Sequence, residues 1–359
     1  MLYSVITTIQ RPTESVRTLA TQLAGDGHLV IAGDTKGPDS FDLSDVPGFT
    51  DQQLTFLDMA SQTASEFRLA KLLPTKHYSR KNIGYLHAIH AGANCIYETD
   101  DDNAPLDSWQ PRTEFIESAR VLEAAETGST NWVNVYRHFS DQNVWPRGLP
   151  LDRIHSKFVE ASEFQPPTNE QGHLWSPIQQ GLADGSPDVD AIWRLVLDRE
   201  FKFDSAPSVL LPPNQWCPFN TQTTWWWPVV YPLLYVPSNC SFRMCDIWKS
   251  FVAQRCLWEL GTGVVFHSSE VWQERNVHNL IRDFNDEVPG YQQNDRIAEI
   301  LESTTLKPGK ENVAVNLQQC YTALIDNQIF PENEMILVEA WIEAVESMRI
   351  GLTVGTQKS

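Results

Sequence analysis

A short apolar run, Cys95-Ile96-Tyr97, leads directly into Glu98-Thr99-Asp100-Asp101-Asp102-Asn103. The run is too brief for a helix and reads as a buried strand. Three adjacent carboxylates at its end repel one another and resist burial. A hard divalent cation would relieve that cost, because Mg²⁺ or Mn²⁺ takes carboxylate oxygens and can hold a diphosphate at the same time. The plainer reading is a solvated acidic loop that opens the next segment.

The flanking pattern says which end of a sheet these aspartates occupy. Leu2–Thr8 is apolar and β-branched and predicts a first strand. Pro12 suits a first helical turn, Val16, Leu19, Ala20 and Leu23 recur at helical spacing, and Gly25 to Gly27 stop the helix. A second strand covers 28–32, followed by the turn-rich Gly33-Asp34-Thr35-Lys36-Gly37-Pro38. Helical patterns cover 51–73 and 79–91, the second with Ser79 as N-cap and Gly92 as its stop. This β-α-β-α-β order predicts an α/β fold with a mostly parallel sheet, which binds ligands at the carboxyl ends of its strands. Thr7, Thr8, Asp34 and Asp100 to Asp102 all fall at such ends.

Later regions are less regular. A strand is expected at 132–136, structured loops at 149–169 and 207–237, a helix at 243–260, a short strand at 264–266 and an amphipathic helix at 334–348. The 359 residues are enough for one large α/β domain or two smaller ones. The formal net charge of -19 argues against a nucleic-acid surface, which needs a basic stripe. The six cysteines contain no C-x-x-C pair and read as buried thiols of a reducing compartment. No apolar run spans a bilayer and no leader precedes the first strand, so the chain as written is expected to be soluble and cytoplasmic.

Several side chains carry two readings. Arg80 and Lys81 open a helix, where cations oppose the dipole; they attract phosphate or extend into water. Asp246 starts a helix, either as a cap or as a general base for a hydroxyl. His267 follows Val264-Val265-Phe266 and is either structural or a metal partner. Asp184, Asp188 and Asp190 either cap a helix or accept sugar hydroxyls. Trp225-Trp226-Trp227, with Trp216 and Phe219, either pack a loop or stack on a sugar.

Several stretches in the same order resemble the STELLO glycosyltransferases. They are His77-Tyr78-Ser79-Arg80-Lys81-Asn82-Ile83-Gly84-Tyr85-Leu86, the triple-Asp segment, Trp145-Pro146-Arg147-Gly148-Leu149-Pro150-Leu151, Leu182-Ala183-Asp184-Gly185 with Asp188-Val189-Asp190-Ala191-Ile192, and Phe242-Arg243 with Asp246-Ile247-Trp248. The resemblance covers roughly residues 1–300, and the last 50 or so residues carry no matching motif. It implies a GT-A-like fold, Rossmann-related, with residues 1–110 as nucleotide-binding half, 111–300 as a loop-rich acceptor half and 301–359 as a C-terminal helical extension. It also implies a D-x-D motif, with Asp100, Asp102 and His267 holding Mn²⁺ or Mg²⁺. Thr7, Thr8, Asp34, Arg80, Lys81 and Asp101 would bind nucleotide. Asp184, Asp188, Asp190, Arg243 and Trp226 would face sugar or acceptor. Plant members of that family carry an N-terminal anchor and sit in the Golgi, which makes the Golgi lumen the alternative compartment.

The expected function is therefore metal-dependent transfer of a hexose or related sugar from a UDP-sugar to a glycan or other hydroxyl acceptor. Asp246 would serve as base and the anomeric centre would invert. The rival readings are a UDP-sugar mutase of the reversibly glycosylated polypeptide type, a non-catalytic carbohydrate-binding scaffold and, more weakly, a metal-dependent phosphohydrolase. The helix at 334–348 leaves a homodimer open.

Overall fold

The structure is a computed structural model that describes residues 1–125, 130–161, 163–274 and 279–355, with side chains to residue 348. The last four residues of the expected C-terminal extension lie outside the described residues.

The chain begins with strand β1 (Leu2–Thr8) and helix α1 (Glu14–Leu23). Thr13 caps α1 by accepting the Val16 N–H at 3.2 Å, and Val16, Leu19, Ala20 and Leu23 form its buried face. Gly25, at φ 100°, turns the chain into β2 (Gly27–Gly33). Residues 51–73 do not form the single helix expected. They divide into a 3-10 turn, strand β3 (Leu54–Leu57) and two short helices, α2 (Met59–Ala64) and α3 (Arg68–Leu72). Asp58 starts α2 by accepting the Ser61 N–H, while Leu54 to Leu57 pair along β2. Ser79 is not the cap of the next helix either. It sits inside a 3-10 turn whose start is capped by the His77 ring, and α4 (Lys81–His90) follows. Gly84 lets α4 lie on β1; a Cβ there would come 2.7 Å from Val5 Cγ1.

Strand β4 (Cys95–Thr99) carries the acidic triplet at its end, and β5 (Asn103–Pro105) follows it. The middle of the chain supplies β6 (Phe115–Ile116), β7 (Arg120–Ala124), β8 (Phe158–Ala161), β9 (Leu174–Trp175), β10 (Ile178–Gly185), α5 (Ala191–Val196), β11 (Val209–Leu211) and β12 (Thr223–Trp226). The strand expected at 132–136 is absent. Trp132 makes one isolated bridge to Trp216, and a 3-10 turn covers Val135–His138. Helix α6 (Cys245–Trp258), strand β13 (Val264–Gln273) and helices α7 (Leu280–Ser303), α8 (Val313–Asp326) and α9 (Glu334–Gly355) complete the fold.

The main sheet runs β3-β2-β1-β4-β12-β10-β13-β11-β7-β8, with β5 paired to β13. Its first four strands are parallel, and both faces of β1 and β2 are covered. Strand β12 joins antiparallel between β4 and β10. The result is the helix-flanked α/β sheet expected of a GT-A-like fold. Helix α7 runs through residue 300, and side chains of α6 to α9 share the main core with α4 and β4. Among the described residues, no helix is long and apolar enough to cross a membrane.

Candidate functional site

The carboxyl ends of β1, β2 and β4 open on a cavity of about 700 Å³. Thr7, Thr8, Asp34, Asp100, Asp101 and Asp102 line one wall. Ser186 and Asp188, just after β10, and Phe242, Arg243 and Asp246, at the start of α6, line the facing wall with Arg147. This is the end of the sheet at which the strand order predicted a ligand.

The three aspartates are not equivalent. Asp100 Oδ1 accepts from Tyr78 Oη at 2.6 Å and from Lys81 Nζ at 2.9 Å. Lys81 is fully buried and also donates to the Thr99 carbonyl at 2.6 Å. Asp101 accepts from the Thr8 hydroxyl, while its carbonyl accepts from Thr13. Asp102 receives one weak bond, from Gln273 Nε2 at 3.2 Å. Burial first, and the charges of Asp100 and Asp101 second, push the Asp102 carboxyl up to about 7. Among the described residues, Asp102 is thus the uncompensated member of the triplet.

Asp34 behaves in the opposite way. Burial raises its pKa, but the backbone N–H groups of Lys76, Thr35 and His77 outweigh that and hold it below the usual range. The bonds to Thr35 and His77 measure 2.6 and 3.1 Å. The carboxylate therefore fixes the 76–77 turn against the end of β2.

Arg147 organises the facing wall. Its guanidinium meets Asp188 through two bonds of 2.7 and 2.8 Å and Asp246 through two of 2.9 and 2.8 Å. It also donates to the Arg243 carbonyl. All three charged groups are buried. Burial pushes the Asp188 carboxyl up; burial acts on Asp246 too, but Arg147 outweighs it there and holds that carboxyl down. Gly148, at φ 92°, allows the approach, since a Cβ would lie 2.4 Å from Ile247 Cγ2 on α6. Arg243 is tied to Glu287 at 2.7 Å.

Five expected site residues lie elsewhere. His267 is buried with both ring nitrogens engaged, by Ser208 Oγ at 2.7 Å and Gln179 Oε1 at 3.0 Å. Burial holds its pKa well down. Strand β13 does not stop at Phe266 but continues to Gln273, which leaves His267 roughly 20 Å along the strand from the cavity. Arg80 is buried and donates to the Ala70 carbonyl at 2.8 Å. Trp226 is core, with its indole N–H on Glu98 at 2.8 Å. Asp184 holds the Phe203 N–H at 3.1 Å and accepts from Ser269. Asp190 caps α5 through the Trp193 N–H at 2.7 Å and accepts from Trp145 Nε1. Lys81 reaches the site only through Asp100.

Arg147, Gln273, Ser186 and Tyr78 also line the cavity, and residue type alone gives none of them a role. For Arg147 the available signal was a basic residue beside a glycine in the Trp145-Leu151 stretch. Among the described residues, no three His, Cys, Asp or Glu side chains gather into a ready-made metal cage.

Comparison with known proteins points to one family. The family model described as STELLO glycosyltransferases matches residues 243–355, which include Arg243, Asp246 and the C-terminal helices that carried no recognisable motif. The chain is 30% identical over 281 residues to "Probable glycosyltransferase STELLO2" of Arabidopsis thaliana, covering 74% of this chain and 35% of that protein. It is 30% identical over 271 residues to "Probable glycosyltransferase STELLO1" of the same plant, covering 72% and 33%. The chain spans about a third of the length of these curated relatives. A match that includes the Asp246 helix, together with the strand-end acidic cavity, means that this chain belongs to the family of STELLO glycosyltransferases.

Proposed function

We propose that the chain transfers a sugar from a UDP-sugar to a hydroxyl acceptor and requires Mn²⁺ or Mg²⁺. One observation carries this reading. A single cavity faces an acidic strand end on one side with two carboxylates clamped by one arginine on the other.

The residues fit a divalent cation. The donors are oxygens, and Asp102 is a half-buried carboxyl with no cationic partner among the described residues. Mg²⁺ commonly takes one or two carboxylates and completes its shell with phosphate and water, so a full protein cage is not required. Asp102 and the Asp100 carboxylate would hold the cation, which would offset the negative charge of the diphosphate. Lys36 and Lys76 line the same cavity and add positive charge for that group. Asp101, fixed by Thr8, sets the loop, and Thr7 and Asp34 lie on the nucleoside side.

The acceptor proton would go to the Asp246–Asp188 pair. A base works best when its pKa approaches the working pH. Arg147 works against this at Asp246, while burial favours it at Asp188, so the two act as one unit across Arg147. In-line attack by the acceptor oxygen would then break the bond to the diphosphate and invert the anomeric carbon.

The test is calorimetry with UDP, with and without Mn²⁺, together with UDP release from UDP-sugars. UDP should bind only with the metal present, Asp102→Asn should lose that binding, and Asp246→Asn should keep it but lose turnover. Absence of metal-dependent UDP binding in the unmodified chain would remove the reading. Ring isomers of the UDP-sugar formed without acceptor would replace transfer with a mutase.

A further inference from the structure

One corner of the cavity is not used by the diphosphate wall. Phe242 stands there with 54% of its surface exposed. A single exposed aromatic on an open surface needs no explanation. This one lines a cavity, and its ring is propped nearly perpendicular to His77 (75°) and Tyr78 (79°), each at 6.2 Å between centroids.

Elsewhere in the same cavity, Ser186 is only 7% exposed, and its hydroxyl has no hydrogen-bond partner among the described residues. A buried hydroxyl left without a partner is costly, because it has given up water and gained nothing in return. The local chain geometry holds it there. Gly185 has φ 82°, and a Cβ at that position would come 2.7 Å from the Gln273 carbonyl. The Pro187 carbonyl is held by Arg194. The Asp188 and Asp246 carboxylates line this same wall. A cavity lined by an apolar ring as well as by a hydroxyl and carboxylates suits a pyranose, which presents C–H groups on one face and hydroxyls around its edge.

We propose that Phe242 and Ser186 form a subsite for the pyranose ring of the acceptor, which makes the acceptor a saccharide. The inference rests on the transferase reading and narrows it. The Phe242 ring carries the C–H face of the sugar. Ser186 and Asp188 take its hydroxyls, and the reacting hydroxyl points to the Asp246–Asp188 pair.

Saturation-transfer NMR on the full chain tests this, with methyl α- and β-pyranosides of glucose, galactose, mannose and N-acetylglucosamine as probes, and with UDP and Mn²⁺ titrated separately. At least one glycoside should receive saturation, most strongly at ring C–H protons. Phe242→Ala should weaken that binding ~10-fold or more, equivalent to about 1.4 kcal/mol. Phe242→Tyr should retain it, and Ser186→Ala should weaken it several-fold. None of the three should change UDP affinity. If UDP binds with Mn²⁺ but no glycoside receives saturation, or if glycoside binding survives Phe242→Ala unchanged, the subsite is wrong while the transferase reading stands. If glycosides bind through Phe242 but UDP does not bind, the transferase reading falls, and Phe242 marks a pyranose site but not an acceptor site.

Discussion

Lys249 Nζ lies 2.7 Å from Glu98 Oε2, and neither side chain reaches water. The Tyr85 hydroxyl and the Trp226 indole N–H complete the carboxylate's partners, and the two rings flank the ammonium at 5.1 and 4.6 Å. The pair joins β4, two residues before Asp100, to α6, three residues after Asp246. It therefore spans the floor beneath both walls of the cavity.

Removing one partner of such a pair should be costly, because the other charge stays buried. Lys249→Met should destabilise the fold by ~3–5 kcal/mol. The double variant Glu98→Gln with Lys249→Met should recover most of that loss. Urea unfolding of the single and double variants checks this. A double variant no more stable than Lys249→Met alone would mean that packing, not charge, is the cause.

Arg147→Ala should leave Asp188 and Asp246 buried without a counter-charge, at a similar cost of ~3–5 kcal/mol at neutral pH. Without the guanidinium both folded-state carboxyls rise above their unfolded values. The variant's native state then gains protons as pH falls, so its deficit relative to the parent should shrink toward acid pH. Stability measured at several pH values for both proteins tests the trend. A deficit independent of pH would point to lost packing.

The Asp190 carboxyl is pushed up to about 6 by burial, above its usual unfolded value. A raised folded pKa means that the native state binds the proton more tightly. This contribution is therefore present below the unfolded pKa and is lost as pH rises through about 6. Asp190→Asn keeps a side-chain acceptor for the Trp193 N–H and removes the titration. The stability difference, variant minus parent, should increase between pH 4 and 6.5 by ~2–3 kcal/mol. A flat difference in paired urea titrations would rule out Asp190 as the titrating group.

Glu334, fully buried at the start of α9, accepts four hydrogen bonds. They come from Tyr235 Oη, the Ser238 N–H, and the Asn239 N–H and side-chain amide, at 2.6 to 3.1 Å. The segment it holds runs into Phe242 and Asp246. Glu334→Gln turns one acceptor into a donor facing donors and should destabilise by ~2–4 kcal/mol. Limited proteolysis should then cut near residue 240 sooner than in the parent. An unchanged cleavage pattern would argue against this tie.

The parts of the fold that could be read early are those whose cause is local. The Val16, Leu19, Ala20 and Leu23 stripe and the Thr13 cap specify α1 without help from the rest of the chain. Residues 51–73 misled because Leu54 to Leu57 become a strand only by pairing with β2, which a local window does not contain. The same division runs through the site. The acidic triplet was legible because its run of strand sits at a parallel-sheet end. Arg147 was not, because its partners lie 41 and 99 residues away. His267 was misplaced because Ser268 to Gln273 continue the strand through pairing with β10, although Ser268, Ser269 and Glu270 suggest an end. Trp226 looked like a sugar platform by type, yet Glu98 and Lys249 draw it into the core.

Strand β12 lies between β4 and β10, and Thr223 pairs with Thr99. A growing polypeptide leaves the ribosome with β3, β2, β1 and β4 already complete, yet the outer edge of β4 has no neighbour until Trp226 has been synthesised. At ordinary elongation rates that interval lasts on the order of ten seconds. Throughout it a naked ladder of amide and carbonyl groups is open to foreign strands, so nascent chains stalled between these two points should be the most prone to misassembly and the best customers for a chaperone.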